Sequence, residues 1–197
     1  SQLKADYNNR FTPSNATLAI SGDVNKKTLI KLSKQHFDHW SGNAPKIISN
    51  VSLRDINSKK LYLINMPELQ QCQIRIGALG ISGNHPDYFP IRIANTILGG
   101  GFTSRLMEEV RVKRGLTYSI GSGFQISRLD GMFSIQTFTQ NDTVHEILNI
   151  ILDELNSFVN IGITQQELTT AICYLSGTFP LSLETNIDKV ASMLNNQ

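Results

Sequence analysis

Three consecutive glycines, Gly99-Gly100-Gly101, constrain this chain more than any other feature. Glycine just past a helix relieves the left-handed backbone there. An apolar helix opened by His85-Pro86-Asp87 and carrying Ile91, Ala94, Asn95, Ile97 and Leu98 should therefore end at the triplet. A second helix begins at once, with Phe102, Leu106 and Val110 at four-residue spacing as its apolar stripe. Gly115 stops that helix, and an alternating run starting at Leu116 takes the chain into a strand. The order helix, turn, helix, strand is thereby set for the middle third of the sequence.

The flanking segments add strands and helices in separate runs. Strands are expected over 116–126 and 132–139, around Leu129-Asp130-Gly131, because Asp-Gly between alternating runs signals a hairpin. Upstream, 61–66 reads as a strand ended by Pro67, and Cys72, Ile74 and Ile76 alternate with Gln73 and Arg75, so these two runs should pair as a hairpin. Thr143-x-x-Glu146 and Thr164-x-x-Glu167 read as capping boxes. The first opens a helix with the stripe Val144, Ile147, Leu148, Ile151, Leu155 and Phe158. The second opens a helix broken near Pro180, and a last helix covers about 183–194. At the N-terminus, 1–15 is polar and turn-rich, 17–20 reads as a short strand, and a helix with Leu29, Ile30, Leu32 and Phe37 starts at Thr28. Hairpin-linked strands with segregated helix runs predict an α+β fold: a two-layer sandwich, mostly antiparallel sheet, with helices packed on one face.

Composition narrows the function. At 197 residues, 40% hydrophobic and 17% charged, the chain reads as an ordinary globular protein. Its net charge of +2, with scattered basic residues, argues against nucleic acid. No apolar run reaches the roughly 18 residues of a transmembrane segment. Cys72 and Cys173 are too few for a metal framework and read as two buried thiols.

The usual catalytic constellations fail one by one. His36-x-x-His39 has no third ligand, and in His145-Glu146-x-x-Asn149 an asparagine stands where a second histidine is needed. The reversed motif H-x-x-E-H does not occur, so this chain is expected to hold no metal. The glycine triplet lacks the Gly-Lys-Ser/Thr ending of a phosphate loop, and Ser104 has no neighbouring base. Arg111 and Tyr118 remain, seven residues apart across Gly115. An arginine fork and a phenolic O–H together suit a peptide carbonyl or a developing oxyanion. A surface arginine and a half-buried strand tyrosine fit the same spacing.

Leu98-Gly99-Gly100-Gly101, Ser104-Arg105-Leu106, Val110-Arg111 and Gly115-Leu116-Thr117-Tyr118 resemble the second, metal-free homologous domain of pitrilysin/insulysin-type zinc peptidases, the inverzincins. Phe11-x-Pro13-x-Asn15 with Ser21-Gly22-Asp23 resembles the close of the first, metal-bearing domain. The resemblance implies three parts. Residues 1–43 would be the closing strand and helix of a preceding homologous domain, 44–60 a linker, and 61–197 the metal-free domain without its last strand and helix. Residues 17–40 would then be expected to fill that place against the 61–197 sheet, within the molecule or by swapping between molecules. For function it implies the non-catalytic half of a zinc metalloendopeptidase. Arg111 and Tyr118 would act as auxiliary catalytic residues toward zinc in an H-x-x-E-H catalytic domain, on the same polypeptide upstream or on a separate subunit. The other partner would be a peptide or protein substrate. Relatives of this kind also include catalytically silent scaffold or protein-interaction subunits. Bacterial relatives are often periplasmic, which makes the periplasm or cell envelope the expected compartment.

Overall fold

A computed structural model describes residues 1–43, 58–127 and 130–195. The expected linker lies almost wholly outside the described residues. Among those described, the chain forms α1 (Gln2–Arg10), α2 (Lys26–Phe37), β1 (Gln71–Leu79), α3 (Tyr88–Asn95), β2 (Ile120–Ile126), β3 (Gly131–Gln140), α4 (Val144–Asn160), α5 (Gln165–Thr178) and α6 (Asn186–Asn195). It divides into two compact units, residues 1–62 with 178–197, and residues 63–177.

The 63–177 unit is the α+β body predicted from sequence. Its sheet has the order β1-β3-β2, antiparallel throughout. Period-two alternation places Ile74, Ile135 and Ile120 on the inner face, with Ile74 and Ile120 both opposite Thr137. Leu98, Leu106, Met107 and Val110 from the glycine-flanked segment and Ile147 and Ile151 from α4 complete this core. The α4 stripe read from sequence is thus the face that is buried. Thr164-x-x-Glu167 forms a true capping box: the Thr164 amide donates to Glu167 Oε2 at 2.7 Å, and the Glu167 amide donates to Thr164 Oγ1 at 3.2 Å.

Several expectations are overturned. Residues 61–66 form no strand; Leu61, Tyr62, Leu63 and Ile64 are exposed, and β1 pairs with β3 instead, across all nine of its residues. The 17–20 run is irregular as well. A short apolar run is marginal as a strand unless it has a neighbouring strand to bond to. Thr143-x-x-Glu146 is not a capping box. Residues Asn141–Thr143 wind as a 3₁₀ turn, and the Thr143 hydroxyl is engaged by Thr139 Oγ1 and the Gln140 carbonyl. Phe102 lies in the turn before the helix, 80% exposed, and does not share the buried stripe of Leu106 and Val110. Cys173 is exposed and Cys72 half-buried.

The unit of 1–62 and 178–197 is helical where described. Residues 1–15 contain α1, which its polar composition concealed. Its only apolar signal is Leu3, Tyr7 and Phe11 at four-residue spacing, reinforced by an Asp6–Arg10 ion pair and a Tyr7–Phe11 stack at 4.7 Å. α6 opens with a box not read from sequence, Thr185 and Asp188 bonding each other's amides at 3.1 Å. Ser21 Oγ donates to Asn186 Oδ1 at 3.1 Å.

Candidate functional site

The glycine triplet does more than stop a helix. Past α3 the backbone widens into a π turn, Thr96–Gly100. A Cβ at Gly99 would stand 2.5 Å from Ser122 Oγ and 2.7 Å from the Ser122 amide, so only glycine lets the turn lie against β2. Asn95 fastens the same contact, donating to the Ser122 carbonyl at 3.2 Å and accepting from Ser122 Oγ at 2.8 Å. Helical structure resumes at Arg105 and continues as a π helix, Met107–Val112.

This segment ends in a cluster of basic residues that are treated very differently. Arg105 Nε and Nη2 bond Glu167 Oε1 and Oε2 at 2.6 and 2.9 Å, and Nη2 also donates to the Gly162 carbonyl at 2.8 Å. Its guanidinium lies over the Phe158 ring, 5.3 Å from the centroid. Arg105 holds the Glu167 carboxyl down at about 2, helped by the Thr164 amide and hydroxyl. Glu109 binds both Lys113 and Arg114, and the hydrogen bond from Lys113, then that from Arg114, lower its pKa. Arg111 makes no ion pair among the described residues. Its Cζ sits 4.7 Å from the centroid of the Tyr118 ring, a cation–π stack on a side chain 75% exposed.

The stack depends on how the helix ends. Gly115 has φ +64°, the left-handed region that other residues enter at a cost of roughly 1 kcal/mol. The Gly115 amide donates to the Arg111 carbonyl at 3.0 Å and the Leu116 amide to the Val110 carbonyl at 3.1 Å. The chain reverses within those residues, and Tyr118 returns beside Arg111 just ahead of β2. The structure therefore brings together the two residues singled out from the sequence. A guanidinium on a ring face keeps its in-plane N–H donors available.

The other candidates are placed elsewhere. Ser104 is buried at 1% exposure, its hydroxyl without a partner among the described residues, in no position to attack a substrate. His145 meets Asn149 at 3.1 Å. On α3, Asn95 is engaged by Ser122 and Arg92 lies over Tyr88, a donor set that does not fit zinc. Among the described residues no three His, Cys, Asp or Glu side chains are grouped to hold a metal. A shallow groove of about 460 Å³, lined by Arg105, Glu109, Glu154 and Ile161 among others, lies apart from Arg111 and Tyr118. Arg105 and Glu109 are already engaged there by protein partners, and burial is the main cause raising the Glu154 carboxyl. The Arg105–Glu167 clamp was not read from the sequence. Its one signal was the Thr164-x-x-Glu167 box, which fixed Glu167 but not the arginine 62 residues away.

Residues 1–174 match the family described as the peptidase M16 inactive domain. An uncharacterized zinc protease of Streptomyces coelicolor is 27% identical over 93% of this chain and 41% of its own length. A non-peptidase homolog of Helicobacter pylori is 31% identical over 72% of this chain and 32% of its own. The crystal structure of a peptidase M16 inactive domain from Pseudomonas fluorescens superposes with a TM-score of 0.78 at 28% identity, covering 97% of this chain and 45% of that one. The chain thus spans under half the length of the curated relatives it matches. Its glycine-flanked turn, antiparallel sheet and unpaired arginine sit within the matched residues, and the chain belongs to the peptidase M16 inactive-domain family.

Proposed function

We propose that this chain is the non-catalytic half of a zinc metalloendopeptidase, which binds extended peptide and lends Arg111 and Tyr118 to a site completed by an H-x-x-E-H domain. The observation that carries this reading is the state of Arg111. Lys113 and Arg114 are tied to Glu109 and Arg105 to Glu167, while Arg111 rests on an exposed tyrosine with no carboxylate. A cation oriented by a ring and not neutralised is arranged for a ligand that arrives from outside.

The metal and the water it activates belong to the partner. This chain's part is to hold the scissile carbonyl and to offer N–H and O–H donors where negative charge develops on its oxygen. Donors of this kind contribute roughly 2.7–4 kcal/mol of transition-state stabilisation each in other acyl-transfer enzymes. The full-length protein carrying Arg111→Ala or Tyr118→Phe should cleave an internally quenched peptide with kcat/KM reduced by at least about tenfold. Values within about twofold of the parent would show that the pair has no such role.

A second reading, a catalytically silent scaffold or protein-interaction subunit, is favoured by one relative, the Helicobacter pylori protein named a non-peptidase homolog. A full-length protein that stays inert on a diverse peptide pool after zinc loading, yet co-purifies with a stable partner, would support it.

A further inference from the structure

Tyr118 is exposed, but the backbone that carries it is fastened from beneath. Residues 116–119 precede β2 and belong to no strand, so their carbonyls need donors from elsewhere. Two threonines of β3 supply donors to the first and last of these carbonyls, and Thr117 Oγ1 also donates to the Ser119 carbonyl at 3.2 Å. Thr139 Oγ1 donates to the Leu116 carbonyl at 2.7 Å, and Thr137 Oγ1 donates to the Ser119 carbonyl at 3.0 Å. The Ser119 amide in turn donates to Thr117 Oγ1 at 3.3 Å, and that oxygen lies 3.3 Å from the Thr137 hydroxyl. Thr139 and Thr143 share a further hydroxyl contact at 2.6 Å, which links the set to the residue preceding α4.

The placement is unusual for a sheet. Period two puts Thr137 and Thr139 on the same inner face of β3 as Ile135, and all three are buried. Valine would fill that face as well by volume. The hydroxyls are accounted for by the two carbonyls that bracket Tyr118, to which they donate.

We propose that Thr137 and Thr139 are positioning residues for Tyr118: by holding the Leu116 and Ser119 carbonyls they set where the tyrosine hydroxyl stands relative to bound peptide. This rests on the function proposed above for Tyr118. A misplacement of about 1 Å in a reacting constellation costs up to about a hundredfold in rate, so two hydroxyls can matter to catalysis without touching substrate.

The test is a double-mutant cycle in the zinc-loaded full-length protein, with an internally quenched peptide as probe and hydrogen exchange over 116–120 as a second readout. Thr139→Val should lower kcat/KM about tenfold and speed exchange over 116–120, and Thr139→Ser should restore both. In the Tyr118→Phe background, Thr139→Val should have no further effect on kcat/KM. Thr137→Val should behave in the same way if Thr139→Val fails to fold. If Tyr118→Phe costs activity and Thr139→Val costs the same factor in both backgrounds, the threonines act by another route and the inference is wrong. If Tyr118→Phe has no effect, the underlying function fails and the positioning role falls with it. Unchanged exchange over 116–120 in Thr139→Val would overturn the anchoring itself.

Discussion

Arg105 and Arg111 stand six residues apart on one helical segment and do opposite work with the same side chain. Arg105 is 19% exposed, bonded to both oxygens of Glu167 and to the Gly162 carbonyl, and stacked on Phe158. Its Nε and Nη2 donors are engaged from within the fold, and it ties the segment to the start of α5. Arg111 has a ring beneath it and no carboxylate. The difference lies in the surroundings. A loop and a capped helix close around Arg105, whereas Gly115 turns the chain so that Arg111 stacks on Tyr118 and makes no ion pair among the described residues. A cation bonded to both oxygens of a carboxylate holds structure together; one stacked on an exposed ring keeps donors open, which is what the proposed role of Arg111 requires.

That contrast can be broken in order of expected size. Arg105→Ala removes a bidentate partner and leaves Glu167 partly buried without its cation. Urea denaturation should show a loss of about 2 kcal/mol, below the range for fully buried pairs because both side chains keep some solvent. A loss under about 0.5 kcal/mol would show that the clamp is a surface pair of little consequence.

The acid side of the stability curve is a finer probe. Glu167 is lowered from its ordinary 4.5 to about 2 in the folded state, chiefly by its hydrogen bond from Arg105. A depressed carboxyl stabilises the fold above its unfolded pKa, and this contribution is lost as pH falls through the folded value. The parent should therefore lose stability between about pH 4.5 and 2, and Arg105→Ala should lose visibly less over the same window. Identical slopes would detach Glu167 from Arg105.

The smallest effect belongs to the other arginine. Arg111→Ala removes one exposed cation–π stack, and stability should change by no more than about 0.5–1 kcal/mol. A drop as large as that of Arg105→Ala would make Arg111 a second structural arginine and erase the contrast.

Much of this fold was legible in the sequence where local chemistry decides it. The stripe with Ile147 and Ile151, the Thr164 box, the Gly115 stop and the alternation of Cys72, Ile74 and Ile76 each describe what the chain forms. The failures share a cause as well. Thr143 obeys the box pattern, but its hydroxyl meets Thr139, a tertiary partner that no local pattern reveals. Leu61 to Ile64 have strand composition, yet composition does not name the strand they would pair with. At the candidate site, spacing across Gly115 allowed Arg111 and Tyr118 to reach the same space but fitted a surface arginine and a half-buried strand tyrosine equally. The ring stack, the neutralised cations around it and the threonines beneath Tyr118 come from contacts distant in sequence or from side-chain geometry.

In the proposed function Tyr118, with Arg111, faces a metal held by the H-x-x-E-H domain. Placing 3-fluorotyrosine at position 118 of the chain assembled with its H-x-x-E-H domain, and comparing fluorine spectra with zinc and with cobalt(II) in that domain, tests this directly. The account predicts that paramagnetic cobalt shifts and broadens the resonance from position 118. A resonance unchanged by cobalt, with cobalt binding verified by its visible absorption, would contradict it.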